Sequence, residues 1–319
     1  MKIKTLPFII VLAFFTIFPM VVRSEYYLHL VIISLMWVVI GSGWNILAGY
    51  TGQASFGDAI FFGVGAYTAG LFATKLGISP WWGMIAGGFT GMISGFLVGW
   101  ICFRLRGPYF ALATLAVGEV FRLVATNWES LTEGMVGILL IQTFRSKLPY
   151  YYIALGLSVV CIVTIHFVMK SKLGYYFVSI REDQDAAESL GINTTYYKNV
   201  SLMVNSFFTG VAGAFYMNYM AFIDPHVVFS LHHISIMAIL VGIVGGVGTV
   251  TGPAVGAFIM IIFQETFRSA FFGLAPRWTS EAHALVFGLL VVFAIMFLPN
   301  GVVGDWTKIR RRLFGGAKA

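Results

Sequence analysis

Apolar runs of roughly 17 to 25 residues, the length a helix needs to cross a bilayer, follow one another along almost the whole chain. The pattern predicts spans near residues 5–22, 27–48, 54–74, 81–103, 107–127, 149–169, 200–222, 232–247, 251–271 and 282–299. Two longer polar segments interrupt it, WESLTEGMVGILLIQTFRSKLP (128–149) and KSKLGYYFVSIREDQDAAESLGINTTYYKN (170–199). No linker or large shift of composition divides the chain. The expectation is one all-α domain over residues 1–319, a polytopic membrane protein of about ten helices.

Composition strengthens that reading. The 319 residues are 59% hydrophobic and 10% charged, too few charges to cover a soluble surface. The net charge of +7 does not signal nucleic acid, because the basic residues sit in short loops and in the tail KIRRRLFGGAK without forming a basic face. An even number of spans puts both termini on one side, together with thirteen of the twenty lysines and arginines. By the positive-inside rule that side is cytoplasmic. The N-terminal MKIKTLPFIIVLAFFTIF has lysines before an apolar stretch but no A-x-A-like cleavage site, so it reads as a retained first span. Cys102 and Cys161 lie far apart inside apolar runs, suggesting neither a disulfide framework nor a metal site.

Glycine is concentrated in two stretches. GYTGQASFGDAIFFGVGAYTAG (49–70) reads as a break or tight turn, with Gly49, Thr51, Gly52, Gln53, Ser55 and Gly57 turned toward protein, followed by a closely packed helix through Gly63, Gly65 and Gly70. GIVGGVGTVTGPAVGAF (242–258), with Gly245, Gly246, Gly248 and Gly252, repeats the theme in the C-terminal half. Either cluster alone is read as tight packing; one in each half suggests a pathway between pseudo-repeated halves.

Asp58, near the start of its span, has two open readings: a structural group reaching water or capping backbone, or a proton or substrate group. The other intramembrane acids come with cations at i+3, Glu119 with Arg122 and Glu265 with Arg268, so each pair can neutralise itself. Both pairs follow a Gly-Pro helix start, Gly107-Pro108 and Gly252-Pro253, a possible mark of an internal repeat. In the inner loop, Ser179-Ile-Arg181-Glu182 has the form of a capping box, and Gly191 is placed to stop the helix it opens. One short solvated helix is expected between them, its small face at Ala186 and Ala187 suited to a groove in another protein.

GWNILAGYTGQASFGDAIFFGVGAYTAG, RLRGPYFALATLAVGEVFR, SIREDQDAAESLGI and GIVGGVGTVTGPAVGA, in that order, resemble the LivM-type permeases of branched-chain amino acid ABC importers. Thr132-Glu133-Gly134-Met135-Val136-Gly137 resembles a further Thr-Gly-Gly-x-x-Gly signature, with Glu133 departing from it. The family commonly has His or Asn where this chain has Asp58. Asp185-Ala186-Ala187-x-x-x-Gly191 resembles the coupling motif of ABC importers, without the usual downstream Ile-x-Leu-Pro. The resemblance implies a multi-pass protein of the bacterial or archaeal inner membrane that pairs with a LivH-type sister permease and two ATPase subunits. It also implies a periplasmic or lipid-anchored binding protein that delivers substrate. The implied cargo is a small, branched-chain amino acid, with urea or a short amide as the alternative.

The chain has no G-x-x-x-x-G-K-[ST] motif, so ATP is expected on partner subunits and no cofactor on this one. An ion-coupled transporter would need a relay of unpaired charges, for which Asp58 is the one clear candidate. The six histidines show no H-E-x-x-H spacing, which disfavours a metal or catalytic site.

Overall fold

The computed structural model describes residues 5–22, 24–272, 288 and 301–305. Its long helices are α1 (Thr5–Val21), α2 (Glu25–Asn45, continued by a π-helical turn Ile46–Tyr50), α3 (Asp58–Lys75), α4 (Pro80–Cys102) and α5 (Pro108–Asn127). After a short α6 (Glu129–Thr132) come α7 (Lys147–Lys170), α8 (Lys172–Glu182), α9 (Gln184–Ser189) and α10 (Thr194–Met220). The chain then forms α11 (Pro225–Val228), a π-helical turn Leu231–Ile236, α12 (Met237–Gly245), α13 (Gly252–Phe272) and α14 (Gly301–Gly304). A two-stranded antiparallel pair, β1 (Ile138–Leu139) with β2 (Phe222–Ile223), joins Ile138 to Ile223 and Leu139 to Phe222.

Among the described residues six helical stretches are long and apolar enough to cross a membrane: Glu25–Tyr50, Pro80–Cys102, Pro108–Asn127, Lys147–Lys170, Thr194–Met220 and Pro225–Gly245. The expected total of about ten is not reached there. Helix α3 is less apolar, Ile9–Val21 and Gly252–Thr266 are shorter apolar stretches, and the last expected span, 282–299, lies outside the described residues apart from Gly288.

The centre of the bundle is a seam of small residues. Helix α10 packs most extensively against α4 and α3, which also pack on each other. On α4, Gly83, Gly87, Gly91, Gly95 and Gly99 recur every four residues and are buried. Trp82, Ile85, Phe89, Ile93, Phe96 and Trp100 occupy the exposed opposite side. A methyl group added at Gly91 would meet Ser206 O at 2.6 Å and Gly210 Cα at 3.1 Å, and one at Gly65 would meet Gly210 Cα at 2.6 Å. Bare backbone thus lets three helices approach closely, the arrangement that drives association in lipid, where burial against tails gives no hydrophobic gain.

Apart from the Glu119–Arg122 pair within α5, the ion pairs between separate elements fall at the two ends of the bundle. One end, which also carries the β pair, holds Lys75–Glu133 at 3.9 Å and Lys147–Glu25 at 3.6 Å; the other holds Arg106–Asp185 at 2.8 Å. These groupings match the alternation of loops expected from the sequence.

The polar segment at the second end departs from expectation. Ser179 and Glu182 do not form a capping box, because both lie inside α8, where the Ser179 hydroxyl donates to Tyr176 O at 2.9 Å. The helix starts earlier, at Ser171, whose Oγ accepts from Leu173 N at 3.2 Å. Gly174, Phe177 and Ile180 fall on its buried side and carry the helix through Ser179. The single expected peg is two helices, broken where Asp183 turns extended (φ −157°, ψ 113°). Asp183 caps α9 by accepting from Asp185 N at 2.9 Å and Ala186 N at 3.0 Å. The stop at Gly191 is as expected. Gly191 is left-handed (φ +82°), with Gly191 N bonded to Glu188 O at 2.9 Å and Ile192 N to Ala187 O at 3.1 Å, a Schellman closure.

Candidate functional site

The two glycine-rich stretches are helix breaks, and they meet. In the first, α2 loosens into its π-helical turn and the chain runs irregularly through 52–57 before α3 begins. The Thr51 hydroxyl reaches back to Ile46 O at 3.1 Å, and Gln53 N to Leu47 O at 3.1 Å. Phe56 N donates to Thr114 Oγ1 at 3.1 Å, Gly57 N to Ser55 Oγ at 3.0 Å, and Trp44 Nε1 to Ser55 O at 3.1 Å. Irregular backbone inside a bundle of apolar helices is tolerated only when protein supplies partners of this kind.

The second break, 246–251, separates α12 from α13. The Thr249 hydroxyl donates to Gly246 O at 2.8 Å and accepts from Gly252 N at 3.1 Å. A methyl at Gly245 would sit 3.0 Å from Pro253 N, so the arms of this break are closely opposed.

Asn45 ties the breaks together. Its Nδ2 donates to Thr249 O and its Oδ1 accepts from Gly248 N, both at 2.8 Å. Gly49 lies on the same spot, where an added methyl would be 2.6 Å from Gly248 N. Arg181, at the end of α8, completes the junction by donating from Nη1 to Gly49 O at 3.0 Å. The same guanidinium would lie 3.1 Å from a methyl on Gly248 and its Cγ 3.0 Å from one on Gly52. Gly52 and Gly248 have φ of +74° and +73°, a region costly for any residue with a Cβ. Gly57 has an ordinary φ of −91° and neighbours no closer than 3.3 Å to an added methyl, so it carries no such constraint.

Helix α9 is anchored beside this junction. Arg106 bridges to Asp185 at 2.8 Å and to Glu188 at 3.5 Å, while Gln184 donates to Glu188 at 2.9 Å and Lys198 to Gln184 at 2.5 Å. Hydrogen bonds from Thr194 and Gln184 hold the Glu188 carboxyl below the usual carboxylate range. Ala187 is buried against the permease itself, contrary to the expected outward small face, because it is the C3 position of the Schellman closure. Ala186 is exposed, as is Leu190, at 82%. Glu182 is turned back onto Arg181, accepting from its Nη2 at 2.6 Å.

Asp58 lies away from water. It is the first residue of α3 but not its cap, which is Gly57, and it is fully buried. Asn205 Nδ2 on α10 donates to its Oδ1 at 2.9 Å, and Asn205 Oδ1 in turn accepts from the Thr209 hydroxyl at 3.1 Å. Ala59 N donates to Ser235 Oγ at 3.0 Å, bringing the second π-helical turn to the same point. Asp58 Oδ2 has no hydrogen-bond partner among the described residues. The carboxyl therefore joins α3 to α10, and the expectation that it reaches water or caps the helix is corrected.

Glu119 and Arg122 do pair, with Arg122 Nε donating to Glu119 Oε2 at 3.0 Å. Arg122 Nη1 also donates to His226 Nδ1 at 2.9 Å, a third member that no spacing rule revealed. Glu265 accepts from the Tyr26 hydroxyl at 2.9 Å, while the Arg268 side chain lies outside the described residues. Glu133 is left-handed (φ 59°), the backbone state glycine adopts most readily, which gives a physical reason for the glycine of the Thr-Gly-Gly-x-x-Gly signature.

A bundle of apolar helices with two glycine-rich breaks that meet beside a short helix with an exposed face fits the class of multi-pass membrane permeases. Residues 26–295 match the family described as branched-chain amino acid transport system / permease component, and the chain belongs to that family. It is 26% identical to the high-affinity branched-chain amino acid transport system permease protein LivM of Escherichia coli K12, over 89% of this chain and 71% of the relative. The LivM of Salmonella typhimurium LT2 is also 26% identical, over 85% and 68%. LivH of E. coli K12 is 24% identical, over 84% of this chain and 91% of the relative. No solved structure gave a significant match.

Proposed function

We propose that this chain is the permease subunit of a binding-protein-dependent ABC importer that carries a small amino acid, branched-chain first, into the cytoplasm. Its partners are then a LivH-type sister permease, two ATPase subunits and a substrate-binding protein. The similarity to both LivM and LivH supports the paired permeases and the amino-acid cargo. The end that holds Arg106, Arg181 and Asp185 faces the cytoplasm on this reading, and both termini lie there, by the charge bias of the loops.

The observation that carries the mechanism is the bond from Arg181 on α8 to Gly49 O, beside Gly248. An ATPase held against the exposed Ala186 and Leu190 would push on α9. Helix α8 would pass that displacement to Arg181, and Arg181 to both breaks at once. Breaks are where helices can bend, because their backbone bonds already run to side chains and neighbouring segments. ATP closure would thus change the angle between α2 and α3 and between α12 and α13, opening or closing a path without rebuilding the small-residue seam.

Uptake of labelled leucine by cells carrying the complete set of subunits tests the cargo, with unlabelled isoleucine, valine and urea as competitors. ATP-dependent leucine uptake suppressed by valine and isoleucine supports the reading. Suppression by urea alone would move the assignment to an amide carrier.

A further inference from the structure

Helix α5 is the least buried of the six spans, and it carries charge on its open side. Leu112, Ala116, Glu119 and Leu123 form one exposed stripe at helical spacing. Glu119 lies about 17 Å along α5 from its first residue at 1.5 Å per residue, which is near the middle of a ~30 Å hydrocarbon layer. Its side chain is 49% exposed, while that of Arg122 is 23% exposed. An acid facing lipid at that depth is strongly disfavoured; acids in spans face protein or water-filled cavities. The open face of α5 is therefore not a lipid face.

We infer that Glu119 and Arg122 line the transport path, on a face opposite the sister permease, and form a binding point for the zwitterionic head of an α-amino acid. The inference rests on the function proposed above and deepens it. Arg122 Nε and Nη2 donate to the two Glu119 oxygens and Nη1 to His226. That leaves the second hydrogens of Nη1 and Nη2 as donors suited to a carboxylate, and the remaining Glu119 lone pairs as acceptors suited to an ammonium group. As an i, i+3 pair they make a short dipole directed along α5, which an amino-acid zwitterion can meet with the opposite order of charges. The pair carries no net charge when empty, so it does not trap a lone ion, and adding a zwitterion keeps the sum at zero.

His226 acts as a positioning residue. It receives Arg122 Nη1 at 2.9 Å and is fixed at the start of α11, where Asp224 Oδ1 accepts from His226 N at 2.8 Å and Val227 N at 3.1 Å. This contact links the binding point to the segment that continues through α12 into the second glycine break.

The test uses the assembled complex in proteoliposomes, with Ala116→Cys as the reporter; the native Cys102 and Cys161 are buried. Small membrane-impermeant thiosulfonates, one bearing a sulfonate and one a trimethylammonium group, should both label position 116. Glu119→Gln should shift the ratio of their rates at least fivefold toward the sulfonate reagent, and Arg122→Gln at least fivefold toward the cationic one. In ATP-driven uptake, Arg122→Gln should lower the rate of leucine import at least tenfold, with Arg122→Lys recovering part of it. Labelling by a lipid-soluble maleimide alone, absence of labelling by any reagent, or a ratio unmoved by either substitution overturns the inference. Leucine import by Arg122→Gln at the wild-type rate overturns it too. A wild-type complex that imports no amino acid at all defeats the proposed function instead, and the labelling pattern then reports on the polar face alone.

Discussion

Asp58 and Glu119 are both acids within the bundle, and their surroundings are opposite. Asp58 is sealed among α3, α10 and a π-helical turn, makes no ion pair among the described residues, and spends one oxygen on Asn205. Glu119 lies on the open side of α5, paired with Arg122 and, through it, with His226. An unpaired charge in a span draws attention in a sequence, while a pair at i+3 looks self-sufficient. Burial reverses that weighting: the unpaired acid is closed in the interior and bonded to Asn205, and the paired one lies on an exposed face.

The largest effect should come from closing the interior too tightly. Gly65→Leu places a branched side chain where even a methyl is 2.6 Å from Gly210 Cα, a clash costing about 3 kcal/mol or more. Little inserted protein should be recovered from membranes, whereas Ala116→Leu on the open face of α5 should leave the recovered amount at the wild-type level. Equal recovery of both would erase the distinction between the two regions.

The junction of the breaks comes next. Gly52→Leu forces a Cβ into a left-handed backbone beside Arg181, a strain of about 1–3 kcal/mol. Uptake should fall on the order of tenfold, whereas Gly57→Ala, without that constraint, should keep most of it. Loss of uptake in both would mean that the whole of 49–57, and not the contact with Arg181, controls transport.

Helix α9 separates an inner from an outer surface on a smaller scale. Ala187→Arg should destabilise the permease, because the residue is buried in its own structure, and should lower the yield of folded protein. Leu190→Arg should leave the yield unchanged and reduce co-purification of the ATPase severalfold. An ATPase that co-purifies fully with Leu190→Arg places the contact elsewhere. The smallest change is a gain: Glu133→Gly removes a left-handed non-glycine residue and should raise the unfolding temperature slightly, for about 1 kcal/mol. A lowered unfolding temperature would show that the Lys75 contact outweighs the backbone strain.

Much of this was legible in the residues. Apolar runs located the helices near their observed bounds, and the glycine clusters located both breaks. The glycine ladder on α4, Gly83 through Gly99 at steps of four, is equally visible there, since the spacing alone defines a packing face. The inner segment departs from its sequence pattern because S-x-x-E is also an ordinary sequence inside a helix; Ser171 and Asp183, each with backbone donors two or three residues on, are the caps. Asn45, Arg181 and His226 could not be found from sequence, since their partners lie 203, 132 and 104 residues away along the chain.

On the function proposed above, ATP hydrolysis by partner subunits, and not an ion gradient acting through Asp58, drives uptake. The direct measurement is leucine uptake by proteoliposomes containing the full complex, wild type or Asp58→Asn, supplied with either ATP or a proton gradient. An asparagine retains the oxygen that accepts from Asn205. Uptake should require ATP, ignore the gradient, and persist in Asp58→Asn with most of its rate. Uptake driven by the gradient without ATP, and abolished by Asp58→Asn, would contradict the account.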